Sequence, residues 1–223
     1  MIQIMSKTDT DRITDYTIVI SILAMSLIMA GCTQIPRPTA KPPTVVKKNH
    51  SGWEQRKATL SRKMNWNLVS KIGLGYREEY WQFGLSWAQR AAQQYAMQIK
   101  NPLTGAIVAK LNQTPRGAIL LADDGKTYRS KNAEQLLLAQ TGVKMPITGM
   151  PYWVRGISSP RYNIDKLVLD KQGRPTLIQQ AGWLIQYPAY QGNGVMALPR
   201  KILFKRAKDN VSVKLVAKRW QGT

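Results

Sequence analysis

Period-two alternation dominates this chain and restricts what it can fold into. Trp81, Phe83, Leu85 and Trp87 fall on one face, while Gln82, Gly84, Ser86 and Ala88 take the other. That is the repeat of an antiparallel strand with one side buried. Trp66, Leu68, Ser70, Ile72 and Leu74 read the same way, as do Tyr95, Met97 and Ile99, then Ile107, Ala109 and Leu111, then Ala118, Leu120 and Ala122. Turn residues such as Asp123-Asp124-Gly125 join these runs into a β-meander. From Asn132 the period becomes helical through Ala133, Leu136, Leu137 and Gln140, and Gly142 is placed to stop the helix. A second short helical piece is expected around Tyr152, Trp153 and Val154, between Pro151 and Gly156. Alternation then resumes: Leu177, Ala181, Trp183, Ile185 and Tyr187 are expected on one face, followed by Ile202 and Phe204, then Val211, Val213, Leu215 and Ala217. About ten strands interrupted by helices make an α+β chain, most simply one curved antiparallel sheet with helices laid over its concave side.

The N-terminal part does not share this pattern. Ile18 to Gly31 is uncharged and apolar, too short to span a bilayer comfortably, and runs directly into Cys32. It reads as a secretory signal to be removed, and Met29-Ala30-Gly31-Cys32 resembles a bacterial lipobox. The domain boundaries expected are a cleaved leader at 1–31, a lipidated Pro-rich tether at 32–50 and a folded domain at 51–223. Pro36, Pro38, Pro42 and Pro43, with Lys41, Lys47 and Lys48, define the tether. Ser51-Gly52-Trp53-Glu54 then matches a capping box with Ser51 as N-cap, so a helix is expected from Trp53 to about Lys63.

The chain has a formal net charge of +21 at pH 7. Because the leader holds two basic and three acidic residues, the rest is more positive still. Such an excess favours anionic partners, and for an exported, lipidated chain a membrane surface is a better partner than nucleic acid. One cysteine excludes an intramolecular disulfide, and with His50 the only histidine there is no credible Cys/His metal site. No phosphate-cradling glycine loop is present, and Asp123 and Asp124 read as a turn rather than a catalytic pair, so the chain is not read as an enzyme.

The aromatic face has two readings. Helices pack onto it as a filled core, or they leave an apolar cavity lined by Trp81, Phe83, Leu85, Trp87, Trp183 and Ile185, with Trp66 on the neighbouring strand. Periodicity alone does not separate filled from hollow. Leu103, within Asn101-Pro102-Leu103-Thr104-Gly105, is required by neither adjacent alternation and is expected at a loop tip.

Taken together, several motifs resemble the LolB family of outer-membrane lipoproteins. They are the lipobox and tether, Asn101-Pro102-Leu103, Asp124-Gly125 with Tyr128, Asn132-Ala133-Glu134-Gln135-Leu136-Leu137, Trp153-Val154-Arg155-Gly156, Gly182-Trp183 with Tyr187 and Tyr190, and Leu198-Pro199-Arg200-Lys201-Ile202. The resemblance implies an incomplete, half-open antiparallel β-barrel covered by an α-helical lid over a hydrophobic cavity for acyl chains. It also implies a monomer that takes lipoprotein cargo from the periplasmic carrier LolA and inserts it into the inner leaflet of the outer membrane, with Leu103 as the membrane-insertion residue. No cofactor is implied beyond the diacylglycerol and N-acyl chain on Cys32. Thr33, which is not aspartate, agrees with sorting to the outer membrane, periplasmic face. The alternatives are a LolA-like carrier, which has no reason to be lipidated, and a structural outer-membrane lipoprotein with a solid core.

Overall fold

The two longest stretches of alternation sit side by side at the centre of the molecule. A computed structural model describes residues 50–142 and 145–222. The leader, Cys32, Thr33 and all of the tether before His50 lie outside the described residues. Strand β1 (Trp66–Tyr76) pairs along its whole length with β2 (Glu79–Ala91), so that Leu68 faces Trp87 and Leu74 faces Trp81. From there β3 (Gln94–Lys100), β4 (Ile107–Thr114), β5 (Gly117–Ala122) and β6 (Thr127–Ser130) step outward to one edge, each antiparallel to the last.

The chain then crosses to the opposite edge and works back. It passes through helices α2 (Ala133–Thr141) and α3 (Met150–Trp153), numbered after the N-terminal helix α1 (Ser51–Arg62). Strands β7 (Ile164–Leu169), β8 (Pro175–Gln180), β9 (Trp183–Tyr190), β10 (Pro199–Arg206) and β11 (Val211–Gln221) return to β1. The result is one antiparallel sheet in the order β6-β5-β4-β3-β2-β1-β11-β10-β9-β8-β7. It is open, with β6 and β7 as its edges.

Burial follows the alternation. Trp66, Leu68 and Ser70 of β1, Leu85 and Trp87 of β2, and Val211, Val213, Leu215 and Ala217 of β11 are all buried on one face. Leu177 and Ala181 depart from the expected pattern. The stretch from Leu177 to Tyr187 is two strands, not one, because Ala181 (φ 54°) and Gly182 (φ 74°) form a two-residue turn between Gln180 and Trp183. Two consecutive residues at positive φ fit the right-handed twist of the flanking strands. Across that turn the inward set is Ile178, Gln180, Trp183, Ile185 and Tyr187.

Helix α1 begins one residue earlier than its capping box suggests. Its N-cap is His50, whose Nδ1 accepts a hydrogen bond from the Gly52 amide at 3.2 Å, while Glu54 pairs with Lys57 instead. Gly52 is needed because a Cβ there would lie 2.5 Å from the Gln172 carbonyl oxygen, in the loop between β7 and β8. The helix buries Trp53 and Leu60, each burial worth about 1.5–3 kcal/mol. It also buries Arg56, whose guanidinium donates to the carbonyls of Gly156, Val195, Ala197 and Arg155. Arg155 reciprocates from the other side, donating to the carbonyls of Pro151, Leu60 and Lys63. The two arginines thus tie α1 to the segment after α3 through backbone acceptors rather than carboxylates.

Candidate functional site

The segment between β6 and β7 is pinned at both ends over the apolar face. At its start, Asn132 caps α2 by accepting from the Gln135 amide at 2.9 Å, and the Ala133 amide donates to Gln113 Oε1 on β4 at 2.9 Å. Gly142 closes α2 at φ 69°, donating its amide to the Leu138 carbonyl. Glu134 reaches forward to accept from the Thr148 amide at 2.8 Å. At the far end the Trp153 indole donates to Gln180 Oε1 at 2.6 Å, and the Tyr187 hydroxyl donates to the Trp153 carbonyl at 2.9 Å. Gln180 uses its remaining capacity on Ser159 and Tyr162, so this buried amide holds the descent into β7.

Between those pins an apolar cavity of about 180 Å³ separates the crossing segment from the sheet. Ile72, Leu74, Phe83, Gly84, Leu85, Trp87, Met97, Ile99, Leu111, Leu120 and Val213 form its wall on the sheet side. Leu137, Met145, Ile147 and Met150 close it from above. Among the described residues no charged side chain lines it. Even Trp87 presents only carbon, because its indole N–H is taken by Gln89 Oε1 at 2.9 Å, on the same strand face. Three methionines bring unbranched, adaptable side chains to the wall.

The structure distributes the sequence-derived cavity residues. Phe83, Leu85 and Trp87 line the cavity. Trp66 does not: it is 1 % exposed and packs against Trp87 and Trp220, with the Arg155 guanidinium over its ring. Ile185 is likewise fully buried in filled core. Trp183 borders a gap of about 10 Å³ next to Trp153 and Phe204. Trp81 lies at the strand end and is 37 % exposed. Met97, Leu111 and Leu120 were visible in the sequence as inward strand positions. The contribution of Met145, Ile147 and Met150 carried no periodic signal.

Leu103 stands alone at the tip of the β3–β4 loop, 93 % exposed. The loop is locally built: Asn101 Oδ1 accepts from the amides of Leu103 (2.9 Å) and Thr104 (3.2 Å), the Gly105 amide donates to the Asn101 carbonyl, and Gly105 sits at φ 73°. The Asx turn fixes the backbone so that the leucine side chain has nothing to pack on.

The displaced pKa values belong to the scaffold. Burial pushes the hydroxyls of Tyr95, Tyr187 and Tyr190 upward and lowers the Arg56 guanidinium. Burial also pushes Arg155 down to about 10. Asp124 is a turn residue, its carboxyl held down by its hydrogen bonds with Lys126. Among the described residues no group of three or more His, Cys, Asp or Glu side chains is placed to hold a metal, and no helix is long and apolar enough to cross a membrane.

The family model "Outer membrane lipoprotein LolB" matches residues 64–220. An outer-membrane lipoprotein LolB from Nitrosococcus oceani is 31% identical over 205 residues, covering 91% of this chain and 96% of the relative. Its counterpart from Alkalilimnicola ehrlichii is 27% identical over 195 residues, covering 87% and 92%. Among solved structures, a LolA superfamily protein from Nitrosomonas europaea aligns with a TM-score of 0.48 at 9% identity, over 76% of this chain and 92% of that one.

Proposed function

Since this chain belongs to the LolB family of outer-membrane lipoproteins and acts in lipoprotein localization, we propose that it accepts lipoproteins from the periplasmic carrier LolA and inserts them into the inner leaflet of the outer membrane. In this reading Cys32 carries the lipid anchor, and the chain faces the periplasm from the outer membrane. Helices α2 and α3, with residues 145–149 ahead of α3, act as a lid, and the cavity beneath them takes acyl chains. The family is one of lipoprotein trafficking, not of catalysis.

The observation that carries the reading is the cavity between the sheet and the crossing helices, lined by apolar side chains and, among the described residues, by no charged one. Exposing an acyl chain of about fifteen methylenes to water costs on the order of 12 kcal/mol at ~0.8 kcal/mol each. Transfer without nucleotide hydrolysis therefore requires the chain to slide from one apolar enclosure into another. The cavity's 180 Å³ is close to the ~150 Å³ of an engineered cavity that holds benzene. That is far less than several acyl chains need, so loading requires the lid to lift. The methionines on both walls can repack as it does. Leu103 then supplies the second half of the function, an apolar tip to enter the lipid interface.

Depletion of the protein in its own cell tests the proposal. Lipoproteins should accumulate in the periplasm bound to their carrier. Continued arrival of lipoproteins at the outer membrane, with no carrier-bound pool, would refute it.

A further inference from the structure

The outer face of the sheet, opposite the cavity, carries a feature that neither the fold nor cargo handling explains. Gly73 lies within β1, at the centre of an eleven-stranded sheet. Glycine inside a strand costs about 0.5–1 kcal/mol. Backbone conformation does not demand it here, for Gly73 does not have positive φ. Packing does not demand it either, since a Cβ at Gly73 would meet only Lys214 Cβ at 4.0 Å. Glycine where neither reason applies marks a surface kept low for something to approach.

What surrounds Gly73 gives that surface its chemistry. In register, Gly73 is level with Lys214 and, beyond it, Leu203; Gly75 is level with Tyr80 on one side and Ser212, then Lys205, on the other. Directly paired residues share a face, so all of these point outward, while Ile72, Leu74 and Val213 point into the cavity. With Gln82, Trp81 and Phe204, and with Leu74 and Val213 of the strands between, the outward residues line a depression of about 280 Å³. Among the described residues no acidic side chain lines it, and no ion pair uses Lys205 or Lys214. Tyr80, 80 % exposed, lays its ring over Gly75 as an apolar wall.

The position is also informative. Lys100 of β3 is level with Gly84 of β2, which is level with Lys71 of β1. Beyond that level β3 runs into the Leu103 loop, and β1 runs in the same direction through Gly73 and Gly75. The depression and the exposed leucine therefore lie at the same end of the sheet. If that end meets a bilayer, the depression is at headgroup depth.

We infer that this outer-face depression, floored by Gly73 and Gly75 and rimmed by Tyr80, Leu203, Lys205 and Lys214, receives the phosphate-bearing headgroup of an anionic membrane lipid. The two ammonium groups neutralise the phosphate, the glycine floor lets the glycerol approach the backbone, and Tyr80 and Leu203 cover the start of the acyl chains. The inference rests on the proposed membrane placement for the source of its ligand.

The test uses the full chain in neutral-detergent micelles, with native mass spectrometry counting bound dihexanoyl phosphatidylglycerol, dihexanoyl phosphatidylcholine or inorganic phosphate. The anionic lipid should be retained at least tenfold better than the zwitterionic one. Gly73→Val raises the floor with a residue that suits a strand, its Cβ meeting no atom nearer than Lys214 Cβ at 4.0 Å; it should reduce that preference to within twofold. Lys205→Ala and Lys214→Ala should each weaken it about fivefold, the equivalent of about 1 kcal/mol per basic residue. Leu120→Trp, which fills the inner cavity instead, should leave it unchanged. An undiminished preference in the Gly73→Val protein overturns the inference. So does displacement of the lipid by an equal concentration of inorganic phosphate, which would mark a free-anion site. Loss of lipid preference with cargo acceptance from the carrier intact supports this inference whatever the fate of the functional proposal. Loss of acceptance in the Leu120→Trp protein alone bears only on the cavity.

Discussion

Replacing Leu103 should separate membrane delivery from every other property of the molecule. The side chain is 93 % exposed, so nothing in the fold is lost when it changes, and stability should stay within about 0.5 kcal/mol of the parent. Nearly all of its surface remains available for burial in lipid. Leu103→Ala removes three carbons, about 2.4 kcal/mol of interfacial burial at ~0.8 kcal/mol each, which is roughly sixtyfold in the insertion equilibrium. Leu103→Ile keeps the same carbons and should behave as the parent, while Leu103→Glu adds a carboxylate that resists entry and should block delivery. The assay has two stages: transfer of an acylated cargo from carrier to this protein, then from this protein to vesicles. The account predicts normal first-stage transfer for all three variants and a second stage that fails in the order Glu, then Ala, with Ile unaffected. An unchanged second stage in the Glu variant, or equal loss of both stages, would show that the loop does not act at the membrane.

Other consequences follow from the buried polar groups and the cavity. Arg56→Met keeps the apolar stem but strands four backbone carbonyls, and should cost about 3 kcal/mol, read from the urea midpoint at unchanged slope; a loss under about 1 kcal/mol would refute the role given to the guanidinium. Burial raises the Tyr187 hydroxyl well above its ordinary value of 10, so above pH 10 the unfolded chain ionises first and stability falls as pH rises. Tyr187→Phe should therefore make the alkaline stability curve shallower by up to about 1.4 kcal/mol per pH unit; an identical slope would contradict it. Benzene should enter the cavity and raise the melting temperature, with up to about 2.7 kcal/mol of stabilisation at a hundredfold excess over its Kd, and Leu120→Trp should abolish that gain. No shift in the parent protein would mean the space is not accessible to apolar ligands.

The sheet was legible because its inward positions are apolar and large. Trp66, Leu68, Leu85, Trp87, Val213 and Leu215 all lie on the face their spacing implies. Legibility failed where backbone conformation overrode residue type. Alanine is not a turn signal, so Ala181 at φ 54° hid the boundary between β8 and β9 and shifted the inward set from Leu177 to Ile178. It failed also where a polar group is buried: Arg56 on a helix reads as solvated, and nothing in the sequence shows the carbonyls that Gly156, Val195 and Ala197 bring to it. Period two gave the sidedness of Trp66 and Phe83 alike, but which of them meets space and which meets Trp220 depends on sheet curvature and on where residues 145–150 descend. The loop position of Leu103 was readable because turn residues flank a leucine that no strand face needs.

Placement of a photo-crosslinking amino acid at Phe83, at Leu120 and, on the outer face, at Gln98 tests the central claim most directly. During transfer of an acyl-labelled lipoprotein from the carrier, irradiation should join the label to positions 83 and 120 and leave position 98 unlabelled. Labelling confined to position 98, or absent from both cavity positions while transfer proceeds, would contradict acyl-chain passage beneath the crossing helices.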